Sequence, residues 1–291
     1  MGANPERTQR GMPNAPRAAS VLISSDMEGC ATLVHWDEVR PGSAPEYVRA
    51  RRILTDEVNA AAAGAFAAGA NRVVVNDSHS TMRNIDLERA DPRVEVISGH
   101  FKPHYMLQGI AQGFAAAYFI GYHGGIGSQD AVMGHTYSPH AIFECRLNGE
   151  VASELTLNAA LAGHFAVPVV LVSGDATTVA ESKRNLPWAQ TVETKRSLSY
   201  YSADCASPQR VSEAVRAAAA TALERIGEAK LFSASVPVRL EIDTLKTYHS
   251  DAIAWMPGFS RPGPRTVSFT GTDMLQAYRA LMAAIYVATA A

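Results

Sequence analysis

The strongest constraint on the fold of this chain is an alternation in its first half. Short β-branched runs, each bounded by Gly, Asp or Asn, are separated by longer stretches with helical spacing. Runs at 21–24 (VLIS), 72–76 (RVVVN), 94–97 (VEVI) and 117–122 (AYFIGY) have the length and residue types of buried strands. Residues 46–68 place Val48, Ile53, Leu54, Val58, Ala62 and Phe66 at helical spacing, and Gly69 is positioned to end that helix. Strand, helix, strand in this order favours a parallel sheet, because parallel neighbours need a crossover connection rather than a tight turn. A short helix is expected within 103–114.

From residue 142 the pattern changes. FECRLNGEV alternates faces around Asn148-Gly149, a strong local signal for a two-residue hairpin. A helix over 153–164, strands over 167–173 and 191–197, and a long alanine-rich helix over 208–229 should follow. VRLEID (238–243) and TVSFT (266–270) read as strands on either side of an irregular segment, and a last helix starts at Asp273. The expected fold class is α/β, a mainly parallel sheet flanked by helices with a smaller α+β portion toward the C-terminus. The expected division is a disordered leader over 1–19, a core over 20–200 and a smaller portion over 201–291 packed on it. The leader contains Pro, Arg, Asn and Gly and no apolar stretch of the kind a secretory signal needs.

Composition removes several function classes. With 26 Lys+Arg against 28 Asp+Glu and no basic cluster interleaved with aromatics, nucleic acid is not an expected partner. No apolar run approaches the roughly 20 residues a membrane helix requires, so no membrane association is expected. The three cysteines, Cys30, Cys145 and Cys205, are widely spaced and form no C-x-x-C pair, which fits a reducing, cytoplasmic compartment. No G-x-G-x-x-G, phosphate-binding G-x-x-x-x-G-K-[ST] or nucleophile-elbow G-x-S-x-G occurs. Cys30 is a poor nucleophile candidate, since the neighbouring acids would raise its pKa.

What remains is a set of polar residues just beyond the expected strands: Asp26 and Glu28 after the first, His79 after the second and His123 after the third. Open α/β sheets bind ligands at such carboxyl ends. In an extended segment residues two apart face the same side, so Asp26 and Glu28 can address one point while Met27 turns inward. Each residue also has an ordinary explanation. Asp26 alone could be a turn former or helix cap, and a lone buried His is more often hydrogen-bonded than ligating. Convergence of two imidazoles and two carboxylates from three strand ends is harder to explain that way, and mixed nitrogen and oxygen ligation suits zinc.

The motifs SSDMEG, VNDSHSTM, FIGYH, HTYS, SELTLNA, VSGD and WMPG, in this order and spacing, resemble the zinc D-aminopeptidases (peptidase family M55), and the resemblance runs from about Val21 to the last helix. It implies a hydrolase of short peptides or amides with a D-amino acid at the N-terminus. It also implies two zinc ions per chain: Asp26 bridging them, Glu28 and His79 completing one site, and His123 and Glu154 the other. His135 is implied as the catalytic group beside the metals, moving a proton to the leaving amine, although the family has also been read with this residue as nucleophile. A homo-oligomer, a decamer of two stacked pentamers, is implied as well. Three carboxylates against two divalent cations leave one positive charge for a further anion, which makes burial tolerable. Manganese or cobalt would accept the same ligands.

Two departures bear on substrate rather than metal. The usual S-G-D-x-K-P is Ser98-Gly99-His100-Phe101-Lys102-Pro103, and the usual G-D-D is Gly174-Asp175-Ala176. Each removes a carboxylate that could pair with a substrate ammonium. Alternatives to the aminopeptidase reading are hydrolysis of another small amide, a phosphoesterase, since two-metal sites serve both, or a metal-dependent binding protein without turnover. A phosphoesterase would want a basic cluster near the metals, and only Lys102 and Arg83 lie near the motifs.

Overall fold

The computed structural model describes residues 19–42 and 44–291. The leader expected over 1–19 lies outside the described residues except for Ala19, which opens the first strand. That strand, β1 (Ala19–Ser25), is followed by a single turn of helix, α1 (Trp36–Val39), and by α2 (Pro45–Ala67), which ends just before Gly69. β2 (Ala70–Asp77), β3 (Glu95–Ile97) and β4 (Ala116–Tyr122) come next. The helix expected within 103–114 is instead two 3₁₀ turns, Tyr105–Leu107 and Ile110–Gln112. Gly109 between them has φ +99° and cannot continue a right-handed helix.

The chain continues through the hairpin β5 (Ile142–Leu147) and β6 (Glu150–Val151), turning at Asn148-Gly149, and through α3 (Glu154–His164), β7 (Val169–Asp175), α4 (Ala176–Asn185), β8 (Gln190–Ser199) and β9 (Ser202–Cys205). α5 (Pro208–Glu224) is shorter than its alanine-rich stretch, which ends in a 3₁₀ turn at Ile226–Glu228. β10 (Val238–Thr244), α6 (Thr247–Ala254), β11 (Phe259–Ser260), β12 (Thr266–Gly271) and α7 (Met274–Ala290) complete it. The irregular segment expected after β10 thus contains α6. The unforeseen α4 is largely polar and buries only Thr178, Val179 and Ser182, too little for a visible apolar face.

Seven strands form a sheet in the order β3-β2-β1-β4-β7-β8-β9, parallel throughout except for the terminal β9. A second, antiparallel sheet has the order β11-β12-β10-β5-β6. It takes its hairpin from residues 142–151 and its other strands from 238 onward, so the boundary expected at residue 200 does not coincide with the division between the sheets. The α/β architecture with a parallel sheet flanked by helices is as the sequence pattern implied.

Strand alternation divides the core. Val21 and Ile23 of β1 and Tyr118 and Ile120 of β4 pack with α2 and α5 on one face. Leu22 and Phe119 point to the other face, where they meet the 3₁₀ turns, α3, α7 and the antiparallel sheet. The chain builds outward from β1 in one direction through β2 and β3, then returns to place β4 on its other side. The gap beyond the carboxyl ends of β1 and β4 is therefore the topological switch point at which such sheets bind ligands. Among the described residues no helix is long and apolar enough to cross a membrane.

Candidate metal centre

The segment after β1 is held against β4 by its backbone: Asp26 N–H donates to Ile120 O at 2.8 Å and Gly29 N–H to Gly121 O at 2.8 Å. The approach is so close that a Cβ on Gly29 would lie 1.7 Å from the Tyr122 carbonyl oxygen, which is why D-x-E must be followed by glycine here. Asp26 and Glu28 do converge, with Met27 fully buried between them. They do so across a turn closed by Cys30 N–H to Met27 O at 3.0 Å rather than along an extended strand. The turn is clamped from β8, where the buried Lys195 ammonium donates to the carbonyl oxygens of Glu28, Cys30 and Leu33. From α2, Glu57 accepts Ala31 N–H at 2.8 Å.

A second clamp orders the loop that carries His79. Lys102 Nζ donates to Asn76 Oδ1 at 2.8 Å, Asp77 O at 2.6 Å and Ile97 O at 2.9 Å. The Asp77 carboxylate accepts the backbone N–H groups of Asn84 and Ile85 and the Asn84 side-chain amide, and that amide also donates to His79 O at 2.7 Å. Asp77 and Lys102 are therefore committed to the scaffold. Glu154 is the first residue of α3, behind the N-cap Ser153, and its Oε1 accepts Tyr137 N–H at 2.6 Å.

These elements bring all six sequence-selected residues into one buried cluster. His79 Nδ1 lies 3.2 Å from Asp26 Oδ1 and 2.9 Å from Glu28 Oε2. His123 Nε2 lies 3.4 Å from Asp26 Oδ2 and 3.6 Å from Glu154 Oε1. His135 Nε2 is 3.8 Å from Glu154 Oε1 and 4.0 Å from Glu28 Oε1, and its ring stacks on His123 with centroids 4.1 Å apart. Among the described residues two groups of three have ligand atoms within 4.8 Å of one another: Asp26, Glu28 and His79, and His123, His135 and Glu154.

The hydrogen bonds on the far side of each ring identify what these contacts mean. His79 Nε2 donates to Val39 O at 2.7 Å, His123 Nδ1 to Gly124 O at 3.0 Å and His135 Nδ1 to Met133 O at 2.9 Å. With one nitrogen of each ring committed to a backbone carbonyl, the other faces carboxylate oxygens, and that nitrogen must carry either a proton or a metal ion. Lone pair facing lone pair is repulsive unless a cation lies between them. Consistent with this, Asp26 Oδ2, Glu28 Oε2 and His123 Nε2 are buried without a hydrogen bond. With protons alone, burial and the charge of Glu28 push Asp26 up to about 7. Burial opposes a charge on His123, yet Glu154 and Asp26 raise it to about 10. The donor set fits two divalent cations of the kind bound by mixed nitrogen and oxygen ligands.

The cluster floors a pocket of about 310 Å³. Trp36, Tyr105, Tyr137 and Tyr286 supply aromatic wall, and Arg40, His100 and His140 also line it. His140 is exposed and on the pocket surface. His100 packs against Phe101 and Tyr286, so that departure from the family motif does border the site. Ala176 lines a separate cleft, so the second departure does not touch the metal pocket.

A sequence model of the D-aminopeptidase family matches residues 20–283. The chain belongs to that family. The D-aminopeptidase of Bacillus subtilis (strain 168) is 34% identical over 266 residues, covering 90% of this chain and 95% of that protein. The solved structure described as the Zn-dependent D-aminopeptidase DppA from Bacillus subtilis, a self-compartmentalizing protease, superposes with a TM-score of 0.89 at 32% identity, covering 94% of this chain and 98% of that one. As a D-aminopeptidase family member the chain is a metal-dependent hydrolase of amide bonds. The family resemblance read from the motifs holds, and so does the α/β fold.

Four groups at the site escaped the motif reading: Lys195, Glu57, Arg40 and Tyr286. They come from β8, α2, the end of α1 and α7, and nothing in the local sequence of Glu57, Arg40 or Tyr286 marks it. Only Lys195 left a faint signal, a basic residue inside a run otherwise read as strand.

Proposed function

We propose that the chain is a two-zinc aminopeptidase acting on short peptides or amides with a D-residue at the amino end. Asp26, Glu28, His79, His123 and Glu154 would hold the ions, Glu28 and His79 on one side of Asp26, His123 and Glu154 on the other, with Asp26 shared between them. The observation that carries the reading is that the two oxygens of Asp26 face different imidazole nitrogens, Oδ1 toward His79 and Oδ2 toward His123. Zinc is chosen because the structural relative is described as Zn-dependent. When bound, such a pair polarises the scissile carbonyl and activates a water molecule.

The chain's own groups do the rest. His135 has its Nδ1–H tied to Met133 O, so Nε2 is the atom that accepts a proton from the nucleophile and returns it to the departing amine. Trp36 sets its ring edge against His135, with centroids 5.2 Å apart, and limits how that imidazole can turn. Amide rather than phosphoester hydrolysis is favoured because Lys102 is spent on the scaffold and neither it nor Arg83 lines the pocket, which leaves Arg40 as a single guanidinium in the wall rather than the basic cluster a phosphoester would want.

The relative's description as self-compartmentalizing supports a homo-oligomer, for which a decamer of two stacked pentamers is the proposed form. The absence of disulfides among Cys30, Cys145 and Cys205 supports a cytoplasmic setting. Elemental analysis, light scattering and a screen of paired D- and L-aminoacyl dipeptides test the whole reading. Two zinc ions per chain and cleavage of the D-series are expected. Undiminished hydrolysis by protein verified as metal-free would overturn it.

A further inference from the structure

α1 is one wall of the pocket, and it is keyed to the metal centre from both ends. Trp36 lies edge-on to His135, and the Val39 carbonyl accepts the Nε2–H of His79 at 2.7 Å. Arg40 follows Val39 directly, so the guanidinium is carried by the segment that orients a proposed metal ligand. It is exposed, lines the pocket and forms no ion pair among the described residues. The acids on the same turn are occupied elsewhere, Glu38 with Arg49 and Asp37 with His35.

Among the described residues, the remaining charges of the pocket leave Arg40 without a counter-ion. Its carboxylates are Asp26, Glu28 and Glu154, all assigned above to the metals, whose charge they do not fully offset. His100 is held below its ordinary pKa by burial and by Lys102, so it brings no negative charge and little positive charge at neutral pH. Of the other titratable groups in the wall, His140 cannot become an anion, and burial raises the phenols of Tyr105, Tyr137 and Tyr286, which keeps them neutral. A pocket with a guanidinium-bearing residue in its wall, and no lining carboxylate beyond those assigned to the metals, matches a substrate that is negative on the leaving-group side of the scissile bond.

We infer that Arg40 is the carboxylate receptor of this pocket, and that its preferred substrates are short peptides ending in a free α-carboxylate just beyond the scissile bond. Amides and longer chains would be poorer substrates. A planar guanidinium offers a carboxylate two parallel N–H donors, a match that a neutral amide terminus cannot reproduce. A pocket of about 310 Å³ accommodates a peptide of two or three residues, which keeps the chain terminus within the same cavity as the metals. This inference rests on the proposed aminopeptidase reading and narrows it to carboxypeptide ends of defined charge.

The test compares D-alanylglycine and D-leucylglycine with their C-terminal amides, which differ only at the far end. Zinc-loaded wild-type and Arg40→Gln proteins are assayed for kcat/KM and, independently, titrated calorimetrically with the same four compounds. Wild-type protein should favour each free acid about tenfold or more, the size of one well-made hydrogen-bonded charge pair. The preference should appear mainly in KM, weaken with added salt and fall toward unity in Arg40→Gln. Equal treatment of acid and amide by wild type, or a preference that survives the substitution, would overturn the inference. If no compound is hydrolysed, the aminopeptidase reading fails, while the calorimetric ratio of acid to amide binding still decides the role of Arg40.

Discussion

Lys195 and Glu28 stand 167 residues apart in the chain, yet both are buried and the ammonium of one donates to the carbonyl oxygen of the other. The same ammonium also holds the carbonyls of Cys30 and Leu33, so a single side chain on β8 sets the path of the loop that presents Asp26 and Glu28. Replacing it leaves three buried acceptors unpaired. Lys195→Met should cost about 3 kcal/mol or more of stability and weaken metal binding about 10–100-fold, as loss of a supporting contact does. Chelator competition on folded protein checks this, and cobalt substitution followed by absorption spectroscopy reports whether the site containing Glu28 is the one disturbed. Full metal affinity in the variant would show that the clamp is dispensable.

Asp26 and Glu154 should differ in how many ions they control. Asp26 faces both His79 and His123, whereas Glu154 approaches His123 and His135 only. Asp26→Asn is expected to lose both ions under dialysis, and Glu154→Gln to retain one. Both should reduce kcat by on the order of 10²–10³-fold or more. Metal content by mass spectrometry alongside initial rates decides it; equal stoichiometry in the two variants would remove the bridging role.

His135→Ala separates a proton carrier from a metal ligand. A proton carrier's loss should lower kcat about 10²–10⁴-fold with two ions per chain retained and KM little changed. Loss of one ion would instead make His135 a member of the group it forms with His123 and Glu154. Undiminished turnover would exclude both roles.

Glu57 supplies a pH signature. Burial pushes its carboxyl up to about 7 from an ordinary 4.5, and the N–H of Ala31 only partly compensates. A raised acid pKa means the folded state holds its proton more tightly than the unfolded state. The associated stability is fully present below about 4.5 and is lost as pH rises toward 7. Glu57→Gln, which keeps an acceptor for Ala31, should flatten this slope. Between those limits the wild type should lose on the order of 3 kcal/mol relative to the variant, measured by denaturant unfolding at a series of pH values. Parallel pH profiles for the two proteins would contradict the assignment.

The strand runs, the long α2, the Asn148-Gly149 hairpin and the family motifs were legible in the linear order because each depends on neighbours a few residues away. The same locality explains what was missed. α4 and α6 have little periodic apolar face, and the 3₁₀ turns at 105–112 follow from a left-handed glycine and not from hydrophobic spacing.

For the site, the sequence by itself determined which side chains have ligand chemistry: Asp26, Glu28, His79, His123, His135 and Glu154 are all recognisable from their motifs. Only the tertiary structure decided that they meet, which nitrogen of each imidazole faces the carboxylates, and that Lys195, Arg40 and Tyr286 belong to the same neighbourhood. The physical reason is that residue identity sets what an atom can bind, while the direction in which it binds is set by backbone carbonyls such as Val39 O, Gly124 O and Met133 O, whose chemistry is the same at every position and so leaves no mark in the sequence.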